Sequence, residues 1–244
     1  MEIAAILLEQ LPPAFRQLAS LAPLDATDLK ALEAAAHAPR AAPAKRDFTA
    51  SLAAATGPVL ILDGWALRAC LLSDGRRQIT ELFLPGDIIS SHPTDQCSSD
   101  SIGAITAVTW CSLHAASVAP GTGLNKALSA VEVIKEQSLR RHIVRLGRLD
   151  ALGRLADWLL ELHARLGTAG LSAGNTMHLP LTQEMIGDAL GLTSVHVNRT
   201  LGALRREGLI EVQAGRAIIL NADRCRAMVG LTPSGPWTRS RRGT

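Results

Sequence analysis

Residues 179–212 read "LPLTQEMIGDALGLTSVHVNRTLGALRREGLIEV", and the spacing of their apolar side chains predicts two short helices joined by a tight turn. Thr182 is suited to N-cap the first helix, with Glu184 favourably placed in its first turn. Met185, Ile186 and Leu190 supply the apolar face. Gly187 is small where the two helices pack closely, and Gly191 offers the left-handed helix end that glycine adopts cheaply. Thr193 caps the second helix, whose inward face is Val197, Leu201 and Leu204, with Thr200 an unusual polar member; Gly208 stops it. "LIEVQAGRAIIL" then reads as two strands joined around Ala214-Gly215-Arg216. Together these features predict a winged helix–turn–helix rather than the plain helical hairpin of an enzyme.

The chemistry of the second helix fits that shape. A recognition helix enters the major groove of DNA by its N-terminal end, where short polar side chains permit close approach. In residues 194–207, Ser194, Val195, Asn198 and Arg199 fall away from the core and are the expected base readers. Arg199 can donate two hydrogen bonds to guanine O6 and N7, Asn198 can read adenine, and Val195 can touch a thymine methyl. Thr182, Thr193, Arg205, Arg206 and the wing residue Arg216 suit phosphate oxygens. His196 suits them too, with a solvated surface role as an equal alternative. Residues 194–206 hold three arginines and no acid, a local positive field.

The rest of the 244-residue chain sets the frame. Apolar residues make up 47%, which excludes disorder of the whole. No run of about 18 apolar residues is present, so no membrane span is expected. "MEIAAILLEQLPP" lacks a positive leading region, and Glu2 and Glu9 flank its apolar stretch, so no signal peptide is expected either. The four cysteines, Cys70, Cys97, Cys111 and Cys225, are spread without a C-x-x-C pair. That is the pattern of incidental thiols in a cytosolic protein. The net charge of +3 conceals a division: residues 1–123 carry 8 basic and 12 acidic side chains, residues 124–149 carry 6 and 2. Residues 150–230 balance at 8 and 8, and the tail adds three arginines, so a nucleic-acid footprint must be local.

Upstream, "DATDLKALEAAAH" predicts a helix capped by Asp25 or Thr27, within a helical region over residues 1–40, and "APRAAPAKRD" reads as a loop. From about Pro58 to Ser117, "VLILDG", "ALRACLLSDG", "QITELFLPGD" and "IGAITAVTWCSLH" carry the punctuation of antiparallel hairpins and predict a small β-sandwich or roll. At Leu124 the period becomes helical. Leu128, Val131, Leu139, Ile143, Leu146 and Leu149 form one stripe on a basic helix, and a second amphipathic helix, "ALGRLADWLLELHARLG", follows. "TAGLSAGNT" reads as a glycine-rich loop, "MHLPL" as a short strand, and "TPSGPWTRSRRGT" as a disordered tail.

This order of elements resembles the Crp/Fnr family of bacterial transcription regulators over nearly the whole chain. "DGRRQITELFLPGD" is similar to the family's β-roll hairpin and "LDALGRLADWLLEL" to its hinge and first DNA-domain helix. "LTQEMIGDALGLTSVHVNRTLGALRREGLI" is similar to its signature. The resemblance implies an α+β chain with an N-terminal, jelly-roll-like antiparallel β-roll (residues 1–123) and a long dimerisation helix (124–149). A winged helix–turn–helix (150–230) and a basic tail (231–244) follow, with a hinge near Asp150. It also implies a cytoplasmic homodimer on double-stranded DNA with a palindromic operator, paired through the Leu128, Val131, Leu139, Ile143, Leu146 and Leu149 stripe, with RNA polymerase as a further partner. The alternative for the stripe is packing on its own β-roll.

Three departures refine the expectation. Family members that bind cyclic nucleotides hold the phosphate with a Gly-Glu pair and an Arg; here Ser90-Ser91 stand at the pair, and no Lys or Arg occurs between Arg77 and Lys126. A buried cyclic phosphate without a cation is costly, so cyclic AMP is not expected. The closely grouped N-terminal cysteines of oxygen-sensing members are absent, Cys70 being the first. Val195 stands where many members carry a Glu that accepts from cytosine, which predicts a different operator. No nucleophile–base arrangement, phosphate loop or metal-ligand spacing is visible, and Asp87 with His92 is too little for catalysis, so no enzyme, metal or cofactor is expected. His92, Cys97, Cys111 and His114 keep open one alternative, a haem- or thiol-based sensor of the same fold whose DNA binding depends on an unidentified effector.

Overall fold

The computed structural model describes residues 11–90, 100–114 and 118–230. His92, Cys97 and the 231–244 tail, on which several expectations rested, lie outside the described residues. The chain divides into two compact units, residues 1–132 and 133–244.

The first unit opens with α1 (Pro13–Leu21), whose first helical residue is a proline, and α2 (Ala26–Ala36). Of the two candidate caps for α2, Asp25 serves: its carboxylate accepts from the Thr27 and Asp28 amides, and Asp28 reciprocates to the Asp25 amide. There follow β1 (Arg40–Ala42), α3 (Thr49–Ala53), β2 (Val59–Asp63), β3 (Ala66–Leu71), β4 (Arg77–Phe83), β5 (Ile88–Ile89), β6 (Asp100–Ala104) and β7 (Val108–Ser112). They form two antiparallel sheets, β1-β7-β2-β5 and β4-β3-β6. The hairpin expected at "SDG" is the β3–β4 connection, with Leu71 opposite Arg77. Residues 40–42, expected as loop, are an edge strand because Arg40 and Ala42 pair with Trp110 and Val108, partners that local sequence does not announce.

Phe48, the N-cap residue of α3, and the strand residues Ile61, Phe83, Ile89, Val108 and Trp110 are buried in one cluster. A second cluster joins Phe15, Leu18 and Leu32 to Leu60, Ile88 and Leu113, and to Leu124, Ala127 and Val131 of α4 (Gly123–Arg148). The Asp28 carboxylate accepts from the Leu124 amide, filling an otherwise orphaned donor at the start of α4. Asp87, weighed above as a catalytic acid, is structural: it is buried and accepts from the Leu84 amide at 2.7 Å and from Gln17 Nε2 at 2.8 Å.

The second unit takes the remainder of α4, then α5 (Ala151–Thr168), capped by Asp150 through the Gly153 amide. Leu155, Leu159, Leu162 and Leu166 make α5 the central core helix. Strands β8 (Ser172–Ala173) and β9 (Thr176–His178) precede α6 (Gln183–Leu190) and α7 (Ser194–Arg206). After them come β10 (Ile210–Gln213), β11 (Arg216–Ile219) and α8 (Ala222–Val229). The sheet order is β10-β11-β9-β8, so the expected loop at "TAGLSAGNT" contributes a two-residue strand and "MHLPL" a neighbour of the wing.

Candidate nucleic-acid interface

The helix pair is built as its sequence dictates. Thr182 Oγ1 accepts from the Met185 amide at 3.1 Å and Thr193 Oγ1 from the His196 amide at 3.2 Å. Each capping hydroxyl keeps its own proton, available to a phosphate oxygen. Gly191 ends α6 at φ 65°, and a Cβ at Gly187 would meet the Leu192 carbonyl oxygen at 2.4 Å. Both glycines are therefore required by the turn. Val197 and Leu204 are fully buried and Leu201 half-buried. The buried Thr200 satisfies its hydroxyl by donating to the His196 carbonyl at 2.8 Å, which explains how a polar residue occupies the inner face.

The outer face presents every expected base reader. Val195 is 78% exposed, and Ser194, Asn198 and Arg199 are exposed beside it. Arg205, Arg206 and Arg216 are also exposed, and His196 is half-buried. Among the described residues, Arg199, Arg205, Arg206 and Arg216 form no ion pair, which leaves four guanidinium groups for external anions. The wing turns through Ala214 at φ 50° and Gly215 at φ 74°, and Arg216 opens β11 directly after the turn.

Three side chains that sequence reasoning passed over shape this surface. Asn198 Nδ2 donates to Gln183 Oε1 at 3.3 Å, joining the recognition helix to the first residue of α6. Arg154 donates to the Leu149 carbonyl at 2.8 Å and to the Leu190 carbonyl at 3.2 Å, tying the end of α6 to the start of α5. Arg224 of α8 donates to the Glu207 carbonyl at the C-terminal end of α7, where a cation is favoured. The last two partners are 36 or fewer residues away but follow no helical period, so no local signal marks them.

The expected pairing stripe is divided. Val131 lies in the first unit's core and Leu128 packs against it, so both spend their apolar surface within this chain. Leu139 and Ile143 are 52% and 62% exposed, with Val133 and Val144 open as well, while Leu146 and Leu149 are half-buried. Beneath them Arg141 and Arg145 engage Asp157 and Glu161 of α5.

Among the described residues, no three His, Cys, Asp or Glu side chains gather to hold a metal ion. Burial pushes the Cys111 thiol up to about 11 and raises Cys225, the direction opposite to a reactive thiolate. No helix among the described residues is long and apolar enough to cross a membrane.

A capped, arginine-bearing helix laid open beside a basic wing defines a winged helix–turn–helix DNA-binding protein. Known proteins specify the class further. A family model described as a Crp-like helix-turn-helix domain matches residues 153–228. The nitrogen fixation regulation protein FixK of Bradyrhizobium diazoefficiens is 32% identical over 171 residues, 69% of this chain and 72% of the relative. The transcriptional activator protein FnrL of Cereibacter sphaeroides is 29% identical over 185 residues, 72% and 70% of the two chains. The solved structure of FixK2 from Bradyrhizobium japonicum shares the fold at a TM-score of 0.66 and 24% identity, over 80% of this chain and 98% of that one. The chain belongs to the Crp/Fnr family: it is a DNA-binding transcription regulator, not an enzyme.

Proposed function

We propose that the chain works as a cytoplasmic homodimer that binds a palindromic operator without cyclic AMP. Ser194, Val195, Asn198 and Arg199 read base edges, and Thr182, Thr193, His196, Arg205, Arg206 and Arg216 hold phosphates. The observation that carries this reading is the open face of α7, where Val195 and the unpaired Arg199 stand at the capped N-terminal end. The roles divide along the chain as residues 1–123 (sensor-like roll), 124–149 (dimerisation), 150–230 (DNA binding) and 231–244 (basic tail).

Pairing through α4 is supported by Leu139 and Ile143, exposed one helical turn apart. A second copy of α4 offers the same apolar face, as a two-fold interface requires. Independence from cyclic AMP is supported at Ser90, whose hydroxyl donates to Glu132 Oε1 at 2.6 Å. A carboxylate beside Ser90 disfavours a phosphate at that point. Contact with RNA polymerase is supported by the relative named as a transcriptional activator.

The test is selection from random duplex DNA by the purified protein, without added ligand, at fixed moderate salt. The expected product is a palindrome with half-sites about one helical turn apart, ~10 bp. Enrichment of no sequence contradicts an apo-active operator binder.

A further inference from the structure

The strand that precedes the helix pair, β9, ends on a histidine beside the wing. We infer that this residue, His178, holds a DNA phosphate and extends the contact made by the wing towards the cap of α6. The inference rests on the phosphate-holding role proposed for Arg216.

The placement follows from strand register. Arg216 of β11 stands opposite Gln213 of β10 on one side and opposite His178 of β9 on the other. Residues directly opposite one another share a face of the sheet, with Cβ atoms about 5 Å apart. In the next row Val212, Ala217 and Met177 stand together, and Ala217 and Met177 are buried in the core. With a period of two, the row at the tip turns to solvent, and all three of its residues are exposed. The Leu179 amide donates to the Gly215 carbonyl at 2.8 Å, which pins the chain beside the wing turn just after His178. Thr182, whose hydroxyl caps α6, follows four residues after His178 and so lies within ~14 Å of it. His178 thus adjoins one group proposed to hold a phosphate and shortly precedes another.

The chemistry suits a phosphate oxygen. Among the described residues, the ring forms no hydrogen bond or ion pair with the rest of the chain, so its N–H is available to an external acceptor. The tip row offers a guanidinium, an imidazole and an amide, all of them donors, and no acid. Glu211, on the same face, stands two residues further from the turn, opposite Ile218. Holding a phosphate is mainly electrostatic and needs no fixed side-chain orientation, unlike the reading of a base edge.

The test is titration of the full-length protein against the selected operator and an unrelated duplex at several salt concentrations. His178→Ala should weaken both duplexes alike, about five-fold per protomer, the loss of one hydrogen bond. His178→Arg should tighten both and steepen the salt slope by about one unit per protomer. Ala173→Arg is the control. Ala173 is exposed on β8 opposite Thr176, so an arginine there adds the same charge to the same face away from the tip. It should change the slope much less.

If the two arginine variants steepen the slope equally, only the charge of the unit matters and the inference is overturned. Binding like that of the wild type by both His178 variants overturns it too. If Arg216→Ala also leaves affinity and slope unchanged, the wing itself does not meet DNA. The inference then falls with the reading it rests on, a result separable from failure at His178 alone.

Discussion

Arg145 of α4 and Asp157 of α5 face each other in the second unit, with Arg145 Nε donating to Asp157 Oδ2 at 2.8 Å and both residues almost wholly buried. Arg145 Nη2 also reaches Glu161 Oε2 at 2.5 Å, and Arg141 donates to the other oxygen of Asp157. Two cations and two anions cancel, so the group is neutral as a whole. Such a cluster adds little net stability over apolar packing, but losing one member strands a buried charge. Arg145→Ala should therefore cost about 3–5 kcal/mol in urea denaturation followed by circular dichroism. Arg145→Met combined with Glu161→Leu leaves the Arg141–Asp157 pair and should cost far less. Equal losses for the two proteins contradict this account.

Acid sensitivity follows from the residue beside the cluster. His142 Nδ1 accepts from Arg145 Nη1 at 3.1 Å, an arrangement that needs a neutral ring. Burial first, and then the Arg145 charge, hold the His142 pKa below its ordinary 6.5, against an opposing pull from Glu161, the Ala189 backbone and Asp157. Below 6.5 the unfolded chain binds a proton that the folded ring refuses. The contribution of His142 is thus fully present above that pH and is lost as pH falls from it towards the folded value. Stability at pH 7.5 and 5.5 should differ less in His142→Leu than in the wild type. An unchanged difference assigns the acid sensitivity to other groups.

The wing tip holds an avoidable strain. Ala214 at φ 50° precedes Gly215 at φ 74°, the pair of left-handed conformations a tight hairpin turn demands. Alanine is disfavoured there and asparagine tolerated. Ala214→Asn should raise stability by about 0.5–1 kcal/mol without changing DNA affinity. Reduced stability would show that the turn is set by something other than backbone preference.

For the proposed assembly, Leu139→Glu with Ile143→Glu would place four carboxylates in the two-fold interface. Analytical ultracentrifugation should show a dimer for the wild type and a monomer for the variant, with binding to a palindrome reduced to that of a half-site. A variant that stays dimeric places the interface elsewhere.

The helix–turn–helix was legible because its determinants are local: Thr182, Gly191 and Thr193 lie within two turns of the amides and carbonyls they serve. The first unit was legible as hairpins, through "DG" turns and alternation, but not in its pairing. The edge strand Arg40–Ala42 exists only because residues some seventy positions later lie beside it. Helix α8 was missed because Asn221, its cap, follows a strand without a glycine or proline to announce the change. The Arg145–Asp157 cluster was invisible for another reason. Charges on two amphipathic helices read as solvated faces until the helices are packed. Of the pairing stripe, only the packing shows that Leu128 and Val131 belong to the chain's own core while Leu139 and Ile143 stay open.

In the proposed function, α7 reads bases while the arginines around it hold phosphates. The most direct measurement is a titration of wild type, Arg199→Ala and Arg206→Ala against the selected operator and its single-base variants at several salt concentrations. Arg199→Ala should lose discrimination of one guanine per half-site, a change of about 1–3 kcal/mol at that base alone. Arg206→Ala should weaken every duplex alike and reduce the salt slope by about one unit per protomer. If both substitutions weaken all duplexes equally, Arg199 is a phosphate contact and the assignment of the recognition face is wrong.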